Sequence, residues 1–347
     1  MKHVVAGFLT SIALVGVAAA QNRPSLTGES HSRWSTSING RQISVDSVGA
    51  IELTDDERDI KSIAPNGSFE MSSRGWLSLF GQRYIVRSNA DGTLTRVQML
   101  GASEHPIDAA ARAWIGDTLQ HLIREGFAAE SRVKRILAQQ GPAGVLDAAA
   151  SISSDYVQAK YFMLLAAHGQ LDRATAERAL RQAGEDIGSD FELARVLNAM
   201  IDAITLDEAM TPVLVQSLRS IGSDFEHSRV LRTLIARRGA TTAVVNVVLM
   251  SSTTIGSDFE KSRVLRELAE RRDLDAPAVL GLIRASGSIN SDFEQSRVLR
   301  QIAGTQVLDE TSRREIVDSA RRIGSEYERT RVLAALVQGS PLEKPQD

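Results

Sequence analysis

Five arginines recur at one fixed spacing, and they are the residues of this chain best placed for binding chemistry. They are Arg195, Arg229, Arg263, Arg297 and Arg331. Each follows an aromatic residue by four positions, so on a helix the guanidinium lies one turn from the ring. A guanidinium donates a planar fork of hydrogen bonds that suits carboxylates and other anions. The row predicts either an anion-binding groove or a ladder of ion pairs that fixes the register of repeated units.

Carboxylates recur in step with these arginines, and this favours the ladder. We expect the guanidinium groups to bond carboxylates of their own or the adjacent unit, such as those of Asp190, Asp224, Asp258, Asp292 and Glu326. The aromatic residues that precede the arginines are expected in the core: Phe191, Phe225, Phe259, Phe293 and Tyr327.

Ser131 and Lys134 match the Ser-x-x-Lys spacing of penicillin-binding enzymes, in which the serine is the nucleophile. The companion Ser-Asp-Asn and Lys-Thr-Gly motifs are absent. The segment also echoes a repeated Ser-Arg-Val phrase seen at Ser228. A hydrolytic or β-lactam-responsive protein that uses Ser131 and Lys134 is therefore an alternative, and we predict no catalytic residue.

Neither the histidines nor the acidic segments form a metal-binding pattern. The six histidines are scattered, and none has a ligand spacing such as His-Glu-x-x-His. His227 stands where other copies of the repeat have Leu193 or Lys261, which indicates an exposed position. Asp55–Asp59 lacks the glycine and alternate spacing of a calcium loop, so we expect an acidic turn. No metal and no cofactor is predicted.

The arginines belong to a phrase, Ile-Gly-Ser-Asp-Phe-Glu-x-x-Arg-Val-Leu, that occurs five times. Its copies start at 34-residue intervals: Ile187, Ile221, Ile255, Ile289 and Ile323. A degenerate copy starts at Ile152. This period is typical of an α-solenoid of helical hairpins, an α/α-superhelix similar in plan to HEAT or tetratricopeptide arrays, although the tetratricopeptide signature is missing. We predict this solenoid over residues 106–339.

The serine of each phrase is predicted to begin the first helix of its unit. With the glutamate three residues later it forms a capping box, in which the serine accepts from the backbone and the glutamate reaches back to the serine N–H. The preceding residue is glycine, with Asn290 the exception, which indicates a left-handed helix end. The second helices are expected to begin at aspartates or threonines: Asp172, Asp207, Thr241 or Thr242, Asp275 and Asp309.

Residues 31–105 change to a two-residue period, which predicts an antiparallel β module of about six strands. The pairs Asn39-Gly40, Asn66-Gly67 and Asp91-Gly92 indicate hairpin turns. Trp34 and Trp76 are expected to anchor its core. A helix over Pro106–Gly126 is expected either to cover the sheet or to cap the solenoid.

The first 20 residues are typical of a cleavable signal peptide. Lys2 precedes an apolar stretch, and Ala18-Ala19-Ala20 fits a cleavage site before Gln21. We expect a periplasmic or secreted protein, a flexible segment over 21–30 and a disordered tail over 340–347. Cysteine is absent, which excludes disulfides, and 40 basic against 43 acidic residues give no indication of nucleic-acid binding. No membrane span is expected after cleavage.

Two stretches of the chain resemble the extracytoplasmic region of some BlaR-type membrane metallopeptidases. They are Gly49–Asp56 with Asp59–Ile63, and the Ser-Asp-Phe-Glu…Arg-Val-Leu repeats. The resemblance implies an exported sensing or interaction module. The chain has no His-Glu-x-x-His motif, so no catalytic residue carries over.

The expected function is that of an exported, non-enzymatic scaffold that binds an envelope protein. Solenoids present long continuous faces suited to extended partners. The alternatives are the Ser131/Lys134 hydrolase and a passive structural spacer. The sequence does not determine the oligomeric state or the identity of the partner.

Overall fold

The computed structural model describes residues 31–38, 40–75 and 81–339. The predicted signal peptide, the segment 21–30 and the tail 340–347 lie outside the described residues, as does Trp76. The described chain is mainly helical, with an antiparallel sheet at its start, and this confirms the predicted fold class. It divides into two compact units between Leu122 and Ile123.

The described residues of the first unit form eight strands and most of one helix. The strands are β1 (His31–Ile38), β2 (Arg41–Val48), β3 (Ile51–Leu53), β4 (Ile60–Ile63), β5 (Ser68–Gly75), β6 (Gln82–Ser88), β7 (Leu94–Leu100) and β8 (Ser103–His105). Six of them form one antiparallel sheet in the order β1-β2-β5-β6-β7-β8, and β3 pairs with β4 in a second sheet.

The larger sheet buries alternate residues of its central strands, as the two-residue period predicts. Its core consists of Ile43, Val45, Phe69, Met71, Tyr84 and Val86. The predicted role of Trp34 as a core anchor is wrong, because it lies on edge strand β1 and is only half-buried. The aromatic anchors are instead Phe69 and Tyr84, whose ring centres lie 6.5 Å apart in an edge-to-face pair.

Two of the predicted turns join paired strands and one does not. The turn at Gly40 joins β1 to β2, and Asp91-Gly92 lies between β6 and β7. Asn66-Gly67 instead connects β4 to β5, which belong to different sheets, so the hairpin predicted there is wrong. Asn66 has a φ of 61°, so the pair makes a corner between the sheets.

Helix α1 (Ala109–Arg124) packs within the first unit. Arg58, in the turn between β3 and β4, donates to Asp117 of α1 at 2.7 Å. Gln120 donates to the carbonyl of Asp56 in the same turn at 3.3 Å. Most of α1 thus belongs to the unit that contains the sheets, and its bonds there go to the turn between β3 and β4.

The second unit is a run of packed helices. They are α2 (Ala129–Ala150), α3 (Asp155–Ala167), α4 (Arg173–Asp186), α5 (Asp190–Ala203), α6 (Thr211–Arg219), α7 (Asp224–Arg238), α8 (Thr242–Ser252), α9 (Asp258–Ala269), α10 (Ala276–Ser286), α11 (Asp292–Thr305), α12 (Glu310–Arg321) and α13 (Glu326–Gln338). Helix α2 is kinked at Gly141, whose φ is 69°.

These helices form two layers. The first helices of the units, from α3 through α5, α7, α9 and α11 to α13, each contact the next one in the series. The second helices, α4, α6, α8, α10 and α12, do the same in the other layer. One continuous apolar core fills the space between the layers, which is how repeat units that cannot bury a face alone become stable.

The serines begin the first helices as predicted. Ser189, Ser223, Ser257, Ser291 and Ser325 are the N-cap residues, and each accepts from the backbone N–H of the glutamate three positions later. Ser154 of the degenerate copy caps α3 without a side-chain bond. Asp172, Thr241, Asp275 and Asp309 cap second helices as expected. Asp207 accepts from the N–H of Met210, one residue before α6 begins.

The glycines before these serines are not in the left-handed conformation, so that prediction is wrong. Gly188, Gly222, Gly256 and Gly324 are not among the described glycines with positive φ. The close approach of a carboxylate from the preceding unit explains better why these positions hold glycine. A Cβ placed on Gly256 would lie 3.3 Å from an oxygen of Asp224 in the preceding unit, to which the Gly256 N–H donates.

Candidate functional site

The five repeated aromatic residues are exposed, and the prediction that they lie in the core is wrong. Phe191, Phe225, Phe259 and Phe293 are 51–54% exposed, and Tyr327 is 69% exposed. Tyr156 of the degenerate copy is exposed at the same position. The helical repeat angle explains the error. Val264, Leu265 and Leu268 form the buried stripe of α9, and at 100° per residue Phe259 lies about 120–180° away from them.

The repeated arginines lie on the same exposed side of the first helices as these rings. The guanidinium carbon lies 5.3–5.8 Å from the ring centre in four units: Arg195 over Phe191, Arg263 over Phe259, Arg297 over Phe293 and Arg331 over Tyr327. This distance is within the range of a cation–π contact. Arg229 differs, because its guanidinium lies 5.5 Å from Phe191 of the preceding unit. We call the five rings and their five arginines the aromatic–arginine row.

Each arginine of the row pairs with a glutamate of its own helix, three positions earlier. The distances are 2.8 Å for Arg195–Glu192, 2.5 Å for Arg229–Glu226 and 3.1 Å for each of Arg263–Glu260, Arg297–Glu294 and Arg331–Glu328. The expected pairing with carboxylates of the same unit is therefore observed, but its partners are these glutamates and not the aspartates or Glu326. Because the glutamates are largely buried, each arginine is held against a ring, of its own or the preceding unit, by a partner that solvent screens poorly.

The aspartates connect successive units instead. Asp224 accepts from the N–H of Gly256 at 2.9 Å and of Ser257 at 2.7 Å. Asp258 and Asp292 accept the equivalent pairs of bonds in the following units, and Asp190 accepts from Gly222. In three units this arrangement replaces the reciprocal half of the predicted capping box, because the N–H groups of Ser257, Ser291 and Ser325 donate to the aspartate of the preceding unit.

Buried serines add a second connection between units. The hydroxyl of Ser228 donates to the carboxylate of Glu260 in the next unit, and Ser262 donates likewise to Glu294. Each glutamate therefore joins the arginine of its own unit to the serine of the unit before. The register-fixing role expected of the arginines is thus shared among aspartate, serine and glutamate.

His227 is buried, and the prediction that its position is exposed is wrong. Its side chain is 2% exposed, and Nε2 lies 2.7 Å from the hydroxyl of Ser251 in α8. Lys261 at the same repeat position is also buried, and its Nζ donates to the carbonyl of Ser288 at 3.0 Å. Burial lowers the pKa of His227 to about 4, so the imidazole is neutral near neutral pH.

Ser131 and Lys134 show no catalytic arrangement. The Ser131 hydroxyl donates to the carbonyl of Ala128 at 3.1 Å. Ser228 and Ser262 of the repeats make the same bond to the residue three positions earlier. Lys134 is exposed. These contacts support a structural role for Ser131, the role that the repeated Ser-Arg-Val phrase indicates.

The acidic segment between β3 and β4 forms the expected turn. Asp56 accepts from Thr54 at 2.5 Å, and Asp59 accepts from the hydroxyl of the buried Tyr84 at 2.6 Å. Among the described residues no three histidine, aspartate or glutamate side chains are grouped to hold a metal ion.

Comparison with known proteins identifies no relative. No family model, no curated protein and no solved structure matches the chain. Within the described ranges no helix combines the length and the apolar character needed to cross a bilayer.

Proposed function

We propose that the protein is a non-enzymatic scaffold that binds another protein through the aromatic–arginine row. The observation that carries the proposal is the exposure of five rings at one repeat position, each ring being about half or more exposed. Aromatic and arginine side chains are the residues that most often dominate the energy of protein interfaces. Such rings contribute little to the stability of the core, because they face away from it.

The geometry of the row favours an extended partner segment. Neighbouring helices pack about 8–10 Å apart, so the outermost of five rings are separated by roughly 30–40 Å. An extended chain rises about 3.3 Å per residue, so a segment of roughly 10–12 residues spans the row. Apolar side chains about three residues apart in that segment would meet successive rings.

The arginine side chains of the row are already restricted before a partner binds. Each guanidinium is held between a ring and a largely buried glutamate, which restricts the side chain before a partner arrives. Restricting side chains in advance lowers the entropy cost of association. The exposed edges of the guanidinium groups remain available to carbonyl and carboxylate groups of the partner.

A displayed library of random 12-residue peptides tests this function. It is selected on the full chain and counter-selected on the double variant Phe259→Ser/Phe293→Ser, with Val307→Ser as the matched control because Val307 is exposed outside the row. We expect enriched peptides with apolar residues about three apart that are retained by the control and lost on the double variant. Peptides retained equally by all three proteins, or no enrichment, would contradict the proposal.

We also propose that the protein is exported to the periplasm or beyond, with an envelope protein as its partner. The support is the pattern of Lys2, the apolar stretch and Ala18-Ala19-Ala20, and the resemblance to the extracytoplasmic region of BlaR-type proteins agrees with it. N-terminal sequencing of the protein from fractionated cells is expected to begin at Gln21. A cytoplasmic protein that retains residues 1–20 would contradict export and leave the binding proposal intact.

A further inference from the structure

A second arginine position lies on the exposed side of the first helices, three residues after the row. It is occupied by Arg232 in α7, Arg266 in α9 and Arg300 in α11. These residues follow Phe225, Phe259 and Phe293 by seven positions, two helical turns, and therefore share their side of the helix. The first and last clear units carry Asn198 and Ala334 there.

Arg232 shows what this position binds. Its Nε donates to a carboxylate oxygen of Glu267 in the next unit at 2.5 Å. The pair joins residues 35 apart in sequence, one unit plus one residue. A guanidinium at this position can thus donate to the carboxylate of a glutamate in the following unit.

The following two units lack that carboxylate. The residue 35 positions after Arg266 is Gln301, and the residue 35 positions after Arg300 is Ala335. The Nε atom of Arg300 is buried and has no hydrogen-bond partner among the described residues. The equivalent Nε atom of Arg232 donates to Glu267. At Arg300 the hydrogen-bond donor is therefore present, but the position of its acceptor is occupied by Ala335.

Arg266 and Arg300, which have no ion pair with a carboxylate among the described residues, lie at an open concavity. Arg266, Arg297, Arg300 and Gln301 line it. Arg297 already pairs with Glu294 and stacks on Phe293, so the surplus positive charge belongs to Arg266 and Arg300. Burial, followed by the positive charge of Arg331, lowers the pKa of Arg300, although the nearby carboxylate of Glu328 acts in the opposite direction. An anion would relieve this repulsion.

We propose that the concavity lined by Arg266, Arg297, Arg300 and Gln301 binds carboxylate side chains of the partner protein. The proposal rests on the proposed function and adds a charge requirement to it: the partner segment is acidic where it crosses α9 and α11. Carboxylate is the class of ligand because the equivalent arginine binds a glutamate within the chain. Phe259 and Phe293 lie on the same side of these helices and receive the neighbouring apolar side chains.

The test uses a blocked tetraglutamate peptide, with tetraglutamine as the uncharged probe, at constant ionic strength. Binding to the full chain is followed through the NMR signals of the arginine Nε–H groups. We expect tetraglutamate alone to bind and to shift the signals of Arg266 and Arg300 most. Shifts spread equally over all arginines, or equal binding of tetraglutamine, would overturn the proposal.

Matched substitutions come from the repeat itself. Gln301→Glu recreates the Arg232–Glu267 pair inside the site and is expected to weaken tetraglutamate binding at least fivefold. Glu267→Gln removes the carboxylate that Arg232 binds within the chain. In this variant we expect tetraglutamate also to shift the Nε–H signal of Arg232. Arg266→Gln is a second variant that weakens binding. Unchanged affinity in Gln301→Glu and Arg266→Gln would contradict the site.

Two further comparisons separate the possible outcomes. Tetraglutamate has no apolar side chain to meet the rings, so its binding is measured independently of the peptide selection, and a failure of the selection and a failure of the carboxylate site are distinguishable. Inorganic phosphate is expected to compete only at concentrations above those of tetraglutamate. Phosphate that displaces the peptide at lower concentrations would assign the site to phosphate and overturn the carboxylate proposal.

Discussion

The clearest difference between sequence and structure at the scale of single residues concerns polar side chains in the core. His227, Lys261 and Gln295 occupy a position that holds leucine in another copy, and all three are buried. Polar variation at one repeat position usually indicates exposure. Here two of them have partners, which are the hydroxyl of Ser251 in α8 and the carbonyl of Ser288 just after α10. Burial of a polar group is tolerated when such a partner exists.

The buried imidazole of His227 makes stability depend on pH. Its pKa is lowered from 6.5 to about 4 in the folded protein, so below pH 6.5 the unfolded chain binds a proton that the folded protein does not. Stability is complete above pH 6.5 and falls as the pH drops towards 4, by about 2 kcal/mol at pH 5.

Urea denaturation at pH 7.5 and pH 5 measures this effect against His227→Gln, since Gln295 occupies the equivalent position. Other groups titrate alike in both proteins, so the difference between them isolates His227. We expect the wild type to lose about 2 kcal/mol more than the variant between the two pH values. Equal losses would show that the histidine titrates normally.

At the scale of helices, the sequence predicts where elements begin better than which side they bury. Ser257 fixes the start of α9 because a hydroxyl cap is a local interaction between residues three apart. The side that α9 buries depends on α7, α10 and α11, which pack around it. The spacing of Phe259, Arg263 and Arg266 at four and seven residues, out of phase with Val264 and Leu268, was the signal that could have revealed an exposed aromatic side.

The bonds from Asp224 to the following unit predict a measurable stabilisation between units. Asp224→Ala removes an ionised acceptor from the N–H groups of Gly256 and Ser257. Hydrogen bonds to charged groups contribute about 1.5–3 kcal/mol, and we expect a loss of that size in the free energy of unfolding.

Glu326→Ala is the control for that measurement. Glu326 occupies the equivalent position in the last unit, where the described residues include no further glycine and serine to bond. We expect it to change stability by less than about 0.5 kcal/mol in the same urea titration. Equal effects of the two substitutions would mean that the contact between units does not depend on the aspartate.

At the scale of the whole molecule, the repeats combine constant and variable positions. Aromatic and arginine residues are present in every clear unit, whereas the positions of Arg232 and Glu267 change along the array to Arg300 and Ala335. Units of a solenoid are stabilised mainly by their nearest neighbours, so such changes alter the surface of one unit without altering the stack. In the proposed function, the constant row would supply general affinity, and Arg266 and Arg300 would add selectivity for an acidic partner.

The aromatic–arginine row also separates the binding scaffold from a passive spacer. A spacer needs packed helices and connections between units, and the aspartates, serines and glutamates supply those without any exposed ring. The regular period made the solenoid predictable from the sequence. The exposed face that carries the row was not predictable from the period alone, because every unit offers several repeated positions and only the packing shows which of them reach solvent.

The affinity of one selected 12-residue peptide tests the central claim most directly. Its Kd is measured by fluorescence anisotropy for the wild type, for Phe259→Ser/Phe293→Ser and for Val307→Ser, after urea denaturation confirms that all three are folded. Truncating an interface hot spot costs about 2 kcal/mol or more, so we expect the double variant to bind at least tenfold more weakly and Val307→Ser to bind like the wild type. Equal affinity in all three proteins would contradict recognition by the aromatic–arginine row.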